Sequence, residues 1–72
     1  MTGRFRYEGM TIEVEELRAE ITGESSWWLR RVDTDPQTTI GVRRHSGLAI
    51  ANTVDLDAGA LDRALTAHLA DR

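Results

Sequence analysis

Polar and apolar residues alternate along the first fifteen positions of the chain, on both sides of a glycine. The alternation runs from Arg4 to Glu15 and is interrupted only at Gly9-Met10. A two-residue loop with glycine first is typical of a type II′ hairpin turn, whose twist matches that of the flanking strands. The resulting cross-strand pairs are Tyr7 with Ile12, Phe5 with Val14, Arg6 with Glu13 and Arg4 with Glu15. Because these pairs give one apolar face and one face of opposite charges, the sequence predicts a β-hairpin in this register.

Residues 16–22 fit two periodicities. Val14, Leu17 and Ile21 form a helical stripe, and most of the residues around them are good helix formers. Leu17, Ala19 and Ile21 also alternate, as a strand would after a bulge near residues 15–16. The segment is too short for periodicity to decide, so helix and strand both stay open, and a loop is predicted at residues 23–26.

Three further β-rich segments predict an antiparallel meander. The first covers residues 27–32 and ends in a turn rich in Asp and Pro at residues 33–37, after which residues 38–44 resume the strand pattern. His45-Ser46-Gly47 suits a three-residue hairpin loop with Gly47 in the left-handed conformation. The predicted pairs are Trp28 with Arg43, Arg30 with Gly41, Val42 with Ile50 and Arg44 with Leu48.

The C-terminal segment has the pattern of an amphipathic helix. Leu61, Leu65 and Leu69 recur at four-residue spacing, and either Asp55 or Asp57 can cap the helix N-terminus. Such a helix must cover its leucine stripe, and the apolar face of the meander is the natural partner. The predicted core consists of Trp27, Leu29, Ile40, Val42, Leu48, Ile50, Val54, Leu61, Leu65 and Leu69.

The predicted fold is therefore α+β. An antiparallel sheet of four to five strands, formed by the N-terminal hairpin and the three-stranded meander, carries the C-terminal helix on one face, and residues 1–72 form a single small domain. A small, strongly curled barrel capped by the helix is the alternative architecture.

Composition limits how so short a chain can be stabilised. A domain of 72 residues buries only ~60% of the surface that its unfolded chain exposes. The absence of cysteine excludes disulfides and thiolate metal sites, and His45 and His68 alone make a poor zinc site, so we predict no metal and no cofactor. Association with another chain is the remaining common support for a small fold.

Charge and hydropathy restrict the location and the partners. The net charge of −3 argues against broad binding to nucleic acid or to anionic membranes. No apolar run approaches the ~20 residues that span a bilayer, and the basic N-terminus has no apolar stretch behind it, so we expect a cytoplasmic protein without a membrane partner. All nine basic residues are arginine, which indicates the coding bias of a GC-rich bacterium or phage.

No catalytic motif occurs in the sequence, and we predict that the protein is not an enzyme. There is no nucleophile elbow, phosphate-binding loop, zinc-binding helix motif or cysteine nucleophile. Glu13, Glu15 and Glu16 are clustered carboxylates, and the predicted hairpin register pairs two of them with arginines, so we expect them to belong to a solvated strand face. Asp33 and Asp35 are expected to form a turn, because Asp side chains bond their own backbone.

The adjacent residues Trp27 and Trp28 are the most informative pair for function. Neighbouring side chains on a strand point to opposite faces, so only one indole can enter the main core. We expect Trp27 there and Trp28 on the other face, which the predicted registers populate with Arg30, Val32, Arg43, Ala49, Ala51 and Thr53. Either the N-terminal hairpin folds across this face and buries Trp28, or Trp28 lies on an open surface, where Trp and Arg are typical of interface hot spots.

The sequence therefore predicts a non-catalytic interaction module. We expect a bacterial or phage accessory protein that binds a protein partner, or itself as a homodimer, through the face carrying these residues. The predicted partner-binding residues are Trp28, Arg30, Val32, Arg43, Ala49 and Ala51. The alternative is a small nucleic-acid-binding regulator that uses Trp28, Arg30 and Arg43 to stack on a base or hold a phosphate.

Overall fold

The computed structural model describes residues 2–51 and 54–71 and contains one sheet and one helix. The elements are β1 (Thr2–Tyr7), β2 (Met10–Arg18), β3 (Ser25–Arg31), β4 (Thr38–Arg44), β5 (Gly47–Ile50) and α1 (Ala58–Ala70). The five strands pair antiparallel in the order β1-β2-β3-β4-β5, and α1 packs on one face of the sheet. The predicted α+β fold is confirmed, and the sheet is open rather than closed into a barrel. No helix of the described residues is long and apolar enough to cross a bilayer.

The β1–β2 hairpin forms at the predicted place but in a different register. Glu8 and Gly9 both have positive φ, 48° and 79°. This is the requirement of a type I′ turn, so the loop is Glu8-Gly9 rather than Gly9-Met10. The observed pairs are Tyr7 with Met10, Phe5 with Ile12 and Arg4 with Glu13. The predicted pairs were wrong by two residues, but a shift of two keeps every side chain on its predicted face.

Residues 16–22 divide between a strand and a turn. β2 continues without a break through Arg18 and pairs along its length with β3, with Val14 opposite Leu29 and Leu17 opposite Ser26. Residues 19–24 then form a turn in which the Gly23 N–H donates to the Ala19 carbonyl. The hairpin therefore extends the meander into one sheet and does not fold back across it.

From Gly41 to Arg44, strand β4 pairs with both neighbouring strands in registers that differ by one residue from the predicted ones. Its side chains there therefore lie on the opposite faces from those predicted. Trp28 pairs with Val42, and Trp27 pairs with Arg43. The β4–β5 loop has two residues rather than three, so Arg44 pairs with Gly47 and Val42 with Ala49. Val42 consequently lies on the face of Trp28, outside the core where we predicted it. Arg43 lies on the helix face, where we did not predict it.

A β-bulge explains part of this difference. The β3–β4 register shifts between Leu29 and Arg30, which leaves Ile40 and Gly41 on β4 together beside Leu29. The backbones are so close there that a Cβ on Gly41 would overlap the carbonyl oxygen of Ala49. Glycine in a strand interior often marks such an approach, and here it allows Ile40 to turn into the core, where it is 2% exposed.

The helix closes the core from one side of the sheet. Asp57 caps it by accepting hydrogen bonds from the Gly59 and Ala60 N–H groups at 2.9 and 3.2 Å. Buried residues of the core are Ile12, Val14, Leu29, Ile40, Leu61 and Leu65, and partly buried ones around them include Phe5, Trp27, Leu48, Ile50, Val54 and Leu69. The prediction missed Ile12 and Val14 in this core, because it treated the hairpin as separate from the helix face.

Side chains of the helix contact the sheet at several points. It approaches the sheet backbone most closely at the two edge strands, β5 and β1, so the sheet curves around it. On β4, the Arg43 guanidinium lies 5.6 Å from the Trp27 ring centroid and donates a 2.9 Å hydrogen bond to Thr66. On β1, the Phe5 ring stacks on His68 with centroids 5.1 Å apart. Strand β4 and the edge strand β1 are thereby both fixed to the same helix.

We predict that Leu65→Ala destabilises the protein strongly. Leu65 is fully buried between helix and sheet, and such truncations cost about 2–5 kcal/mol of unfolding free energy. A domain of this length has about 4–11 kcal/mol in total. Urea unfolding measures the change. Leu65→Met, which conserves volume, should cost less than ~1.5 kcal/mol, and Ile21→Ala, at a 98% exposed position, less than ~0.5 kcal/mol. Equal stability of Leu65→Ala and Ile21→Ala would contradict the helix packing.

Candidate functional site

The sheet face that points away from α1 is the candidate site, and we call it the open face. Among the described residues, no helix or strand lies over it. The strand registers place on it Thr2, Arg4, Arg6, Thr11, Glu13, Glu15, Leu17, Ser26, Trp28, Arg30, Thr39, Val42, Arg44 and Ala49.

An apolar patch occupies the middle of the open face. Trp28 lies on the central strand β3 and is 41% exposed, and Leu17 on the neighbouring strand is 45% exposed. On the other side of Trp28, the β4 partner is Val42, which in turn pairs with the small Ala49. Large side chains this exposed are uncommon inside a sheet. Large apolar side chains grouped on one exposed face are typical of a contact surface.

Two concave regions flank this patch. One has a volume of about 220 Å³ and is bordered by Glu13, Glu15, Leu17, Trp28, Leu29, Arg30 and Thr39. The other, of about 390 Å³, is bordered by Leu17, Trp28, Ser26 and Arg44. Leu17 and Trp28 form the ridge between them, so a binding partner would meet an apolar ridge with a hollow on each side.

A carboxylate between two arginines joins three strands on the same face. Glu13 on β2 accepts a hydrogen bond from Arg30 on β3 at 2.7 Å and another from Arg4 on β1 at 3.1 Å. The Arg30 hydrogen bond, and after it that of Arg4, lowers the pKa of the Glu13 carboxyl. Glu13 is therefore ionised at neutral pH and fixes the direction of both guanidinium groups.

The residues predicted to bind a partner do not all lie together in the structure. Trp28, Arg30 and Ala49 lie on the open face. Val32 lies just past β3, where its N–H donates to the Thr11 carbonyl, and Ala51 lies just past β5, where its N–H donates to Ile40. Thr53, which we grouped with them, is outside the described residues.

Arg43 is not on the open face. It packs on Trp27 and lies 3.4 Å from the Asp62 carboxylate of the helix, a charge contact without hydrogen-bond geometry. The expectation that Arg43 shares a face with Trp28 was wrong, because the β3–β4 register differs by one residue from the predicted one.

Leu17 and Val42 were missed as members of the candidate site. Leu17 had a visible signal, since it falls at an odd position of a strand whose other odd positions, Glu13 and Glu15, are polar. An apolar residue on the polar side of an alternating strand indicates a contact on that side. Val42 had no such signal, because its face depends on the β4 register.

Other ionisable groups have shifted pKa values that local contacts or burial explain. Arg31 forms a two-pronged ion pair with Asp33, at 2.7 and 3.2 Å, which lowers the pKa of the Asp33 carboxyl and raises that of Arg31. Desolvation, with a smaller effect of Glu8, raises the pKa of the Tyr7 hydroxyl. In the part of the chain that the structure describes, no three His, Cys, Asp or Glu side chains group as metal ligands.

Comparisons with protein-family models, with curated proteins and with solved structures gave no match. Function is therefore inferred from the geometry and charge of the open face.

We predict that Glu13 makes folding stability depend on pH. Its folded-state pKa lies below the unfolded value of about 4.3, so its stabilising effect is complete above that value and disappears as pH falls through the folded pKa. Thermal melts between about pH 7 and pH 3 should show a smaller loss of stability for Glu13→Gln than for the wild type. Glu15→Gln, on the same strand face, serves as the control. Identical pH profiles for wild type and Glu13→Gln would contradict the assigned ion pairs.

Proposed function

We propose that the protein is a non-catalytic interaction domain that binds another protein chain through the open face. The observation that carries this proposal is the exposure of Trp28 and Leu17, which are diagonal neighbours on adjacent strands of a sheet face that no described element covers. Tryptophan is among the residues that contribute most to protein interfaces when a partner encloses it. The exposed apolar side chains on this face become buried only when another chain covers them.

The surroundings of Trp28 suit a binding surface. Val42 and Ala49 are small enough for a partner to approach the indole from one side, and the two hollows offer space for side chains on the others. All these residues lie on paired strands. Little conformational freedom is lost when such a surface binds, which favours affinity.

Two kinds of protein chain fit this general proposal. One is a different protein, for which this domain would be a cytoplasmic accessory subunit of bacterial or phage origin. The absence of cysteine is consistent with a reducing compartment. The other is a second copy of the chain in a two-fold homodimer, in which one patch serves both subunits.

Nucleic acid is the weaker candidate. That alternative needed Arg43 beside Trp28, and Arg43 instead contacts the helix. Arg30 also donates to Glu13, so a phosphate arriving at Arg30 would meet a carboxylate held at 2.7 Å from it. Stacking on Trp28 remains available, but the charge around it is mixed rather than uniformly basic.

We predict that Trp28→Thr abolishes association while leaving the fold intact. Threonine suits a strand, and the position lies outside the core, so unfolding free energy should change by about 1 kcal/mol. Sedimentation over a concentration series tests for a second copy. Capture from host extract, followed by purification of the captured protein and measurement of its affinity, tests for another protein.

The matched control is Ile21→Thr, which removes a 98% exposed apolar side chain from the turn at residues 19–24. It should associate like the wild type. A wild type that stays monomeric, and that binds no protein in a manner dependent on Trp28, would contradict the proposed function.

A further inference from the structure

We infer that a second copy of the chain pairs with the edge strand β5, so that two five-stranded sheets join into one sheet of ten strands. This inference uses a surface other than the open face and does not depend on the proposed function. It follows from the backbone groups that the two edge strands leave unpaired and from the side chains beside them.

The hydrogen-bond pattern identifies the backbone groups of β5 that point outward. The Ala51 N–H donates to the Ile40 carbonyl at 2.8 Å, which makes Gly41 and Ile50 a pair without mutual hydrogen bonds. Because bonded and unbonded pairs alternate along an antiparallel ladder, Leu48 is also not bonded to its partner on β4. The N–H and C=O groups of Leu48 and Ile50 therefore point away from β4. Among the described residues, no backbone hydrogen bond outside the strand ladders involves them.

Helix α1 approaches β5 without burying this strand completely. Leu48 and Ile50 direct their side chains toward the core and are only partly buried, and on the open face the strand presents the exposed Gly47 and Ala49. Edge strands are commonly protected by charged side chains or proline, and β5 carries neither. Its four residues limit the contact to a strand of similar length.

The geometry of β5 fits a second copy of itself. When two copies run antiparallel with Ala49 at the two-fold axis, Leu48 of each lies opposite Ile50 of the partner subunit. Both of these pairs have outward backbone groups, and since a bonded pair exchanges two hydrogen bonds, the contact contains four. The two Ala49 residues form an unbonded pair, in which Cα atoms approach to about 4.5 Å, and their small side chains allow this. On the helix face, Leu48 and Ile50 form apolar cross-strand pairs.

The opposite edge of the sheet is less suited to self-pairing. The Val32 N–H donates to the Thr11 carbonyl, and by the same alternation the outward groups of β1 belong to Thr2, Arg4 and Arg6. Pairing two copies over this whole stretch sets Arg4 against Arg4, and like charges directly opposite destabilise a strand pair. Once β5 has paired with β5, both free edges of the joined sheet are β1, so assembly stops at the dimer.

The dimer carries both open faces on one side. The two-fold axis is perpendicular to the joined sheet, so both helices lie on one side and both Trp28 side chains on the other. Five strand spacings separate the two indoles, which is about 24 Å. Trp28, Val42 and Ala49 lie in one cross-strand row, so the two rows meet at the axis in a continuous apolar stripe. A partner with two binding segments then finds two equivalent sites, which raises avidity.

Charges introduced at position 49 test the dimer. Ala49→Glu and Ala49→Lys each place like charges opposite each other on the axis, so each variant alone should dimerise at least about tenfold more weakly than the wild type. An equimolar mixture of the two variants places opposite charges there and should form the mixed dimer. Sedimentation over a concentration series measures these changes. The control is Thr39→Glu, an exposed position on an inner strand of the same face, which should dimerise like the wild type.

Amide hydrogen exchange locates the contact. The N–H groups of Leu48 and Ile50 should exchange more slowly as the protein concentration rises, while those of Arg4 and Arg6 stay unprotected. Protection of all four, in species larger than a dimer, would indicate head-to-tail pairing of β5 with β1 and overturn the inference. A dimer that Trp28→Thr dissociates, or a wild type still monomeric at about 1 mM, would overturn it as well.

The outcomes separate this inference from the proposed function. Trp28→Thr should remove binding through the open face and leave the β5 dimer intact. If Leu48 and Ile50 become protected only when a different protein is added, a foreign strand occupies the edge and the second copy is ruled out. Loss of the β5 dimer leaves Trp28-dependent binding of a partner standing, and absence of Trp28-dependent binding leaves the β5 dimer standing.

Discussion

The structure depends on one geometric constraint, which is that the one helix of the described residues can cover only one face of the sheet. The thirteen residues of α1 span about 20 Å, and the five-stranded sheet is about 19 Å across, so the helix reaches from one edge of the sheet to the other on a single face. Because side chains alternate along a strand, each strand residue points either toward the helix or to the open face. Trp27 and Trp28 are adjacent on β3, so one indole packs near the helix and the other points to solvent. The exposed apolar patch is a direct consequence of this sorting.

The charges on the open face make an uncovered sheet compatible with a small, stable domain. Glu13 connects β1, β2 and β3 through Arg4 and Arg30, which satisfies the carboxylate and aligns three strands at once. Exposed ion pairs are individually weak, and a carboxylate shared by two arginines is more favourable than isolated pairs. Arginine stems also shield apolar sheet surface while their charged ends stay in water. With four arginines and two glutamates, the open face has a formal net charge of +2.

Most of the fold was predictable from the sequence, because its main features depend on periodicity and local chemistry. The capping aspartate, which the sequence limited to Asp55 or Asp57, the leucine stripe and the strand alternation are local signals, and they predicted the helix and the antiparallel strands. Registers depend on turns and bulges, which were harder to predict. Glu8 adopts a left-handed conformation that non-glycine residues rarely take, so the hairpin turn was placed one residue too late. That error moved the register by two and preserved the faces, whereas the one-residue error at β4 exchanged the faces of Val42 and Arg43.

The most direct test of this account is the accessibility of each indole in the isolated protein. Two single-tryptophan variants, Trp27→Phe and Trp28→Phe, each leave one indole, and quenching of its fluorescence by acrylamide reports how readily solvent reaches it. The account predicts strong quenching of Trp28 in the first variant and clearly weaker quenching of Trp27 in the second, since only Trp28 points away from the helix. If Trp28 is as protected as Trp27 in a monomeric protein, something in the chain covers the open face, and the proposed binding surface does not exist.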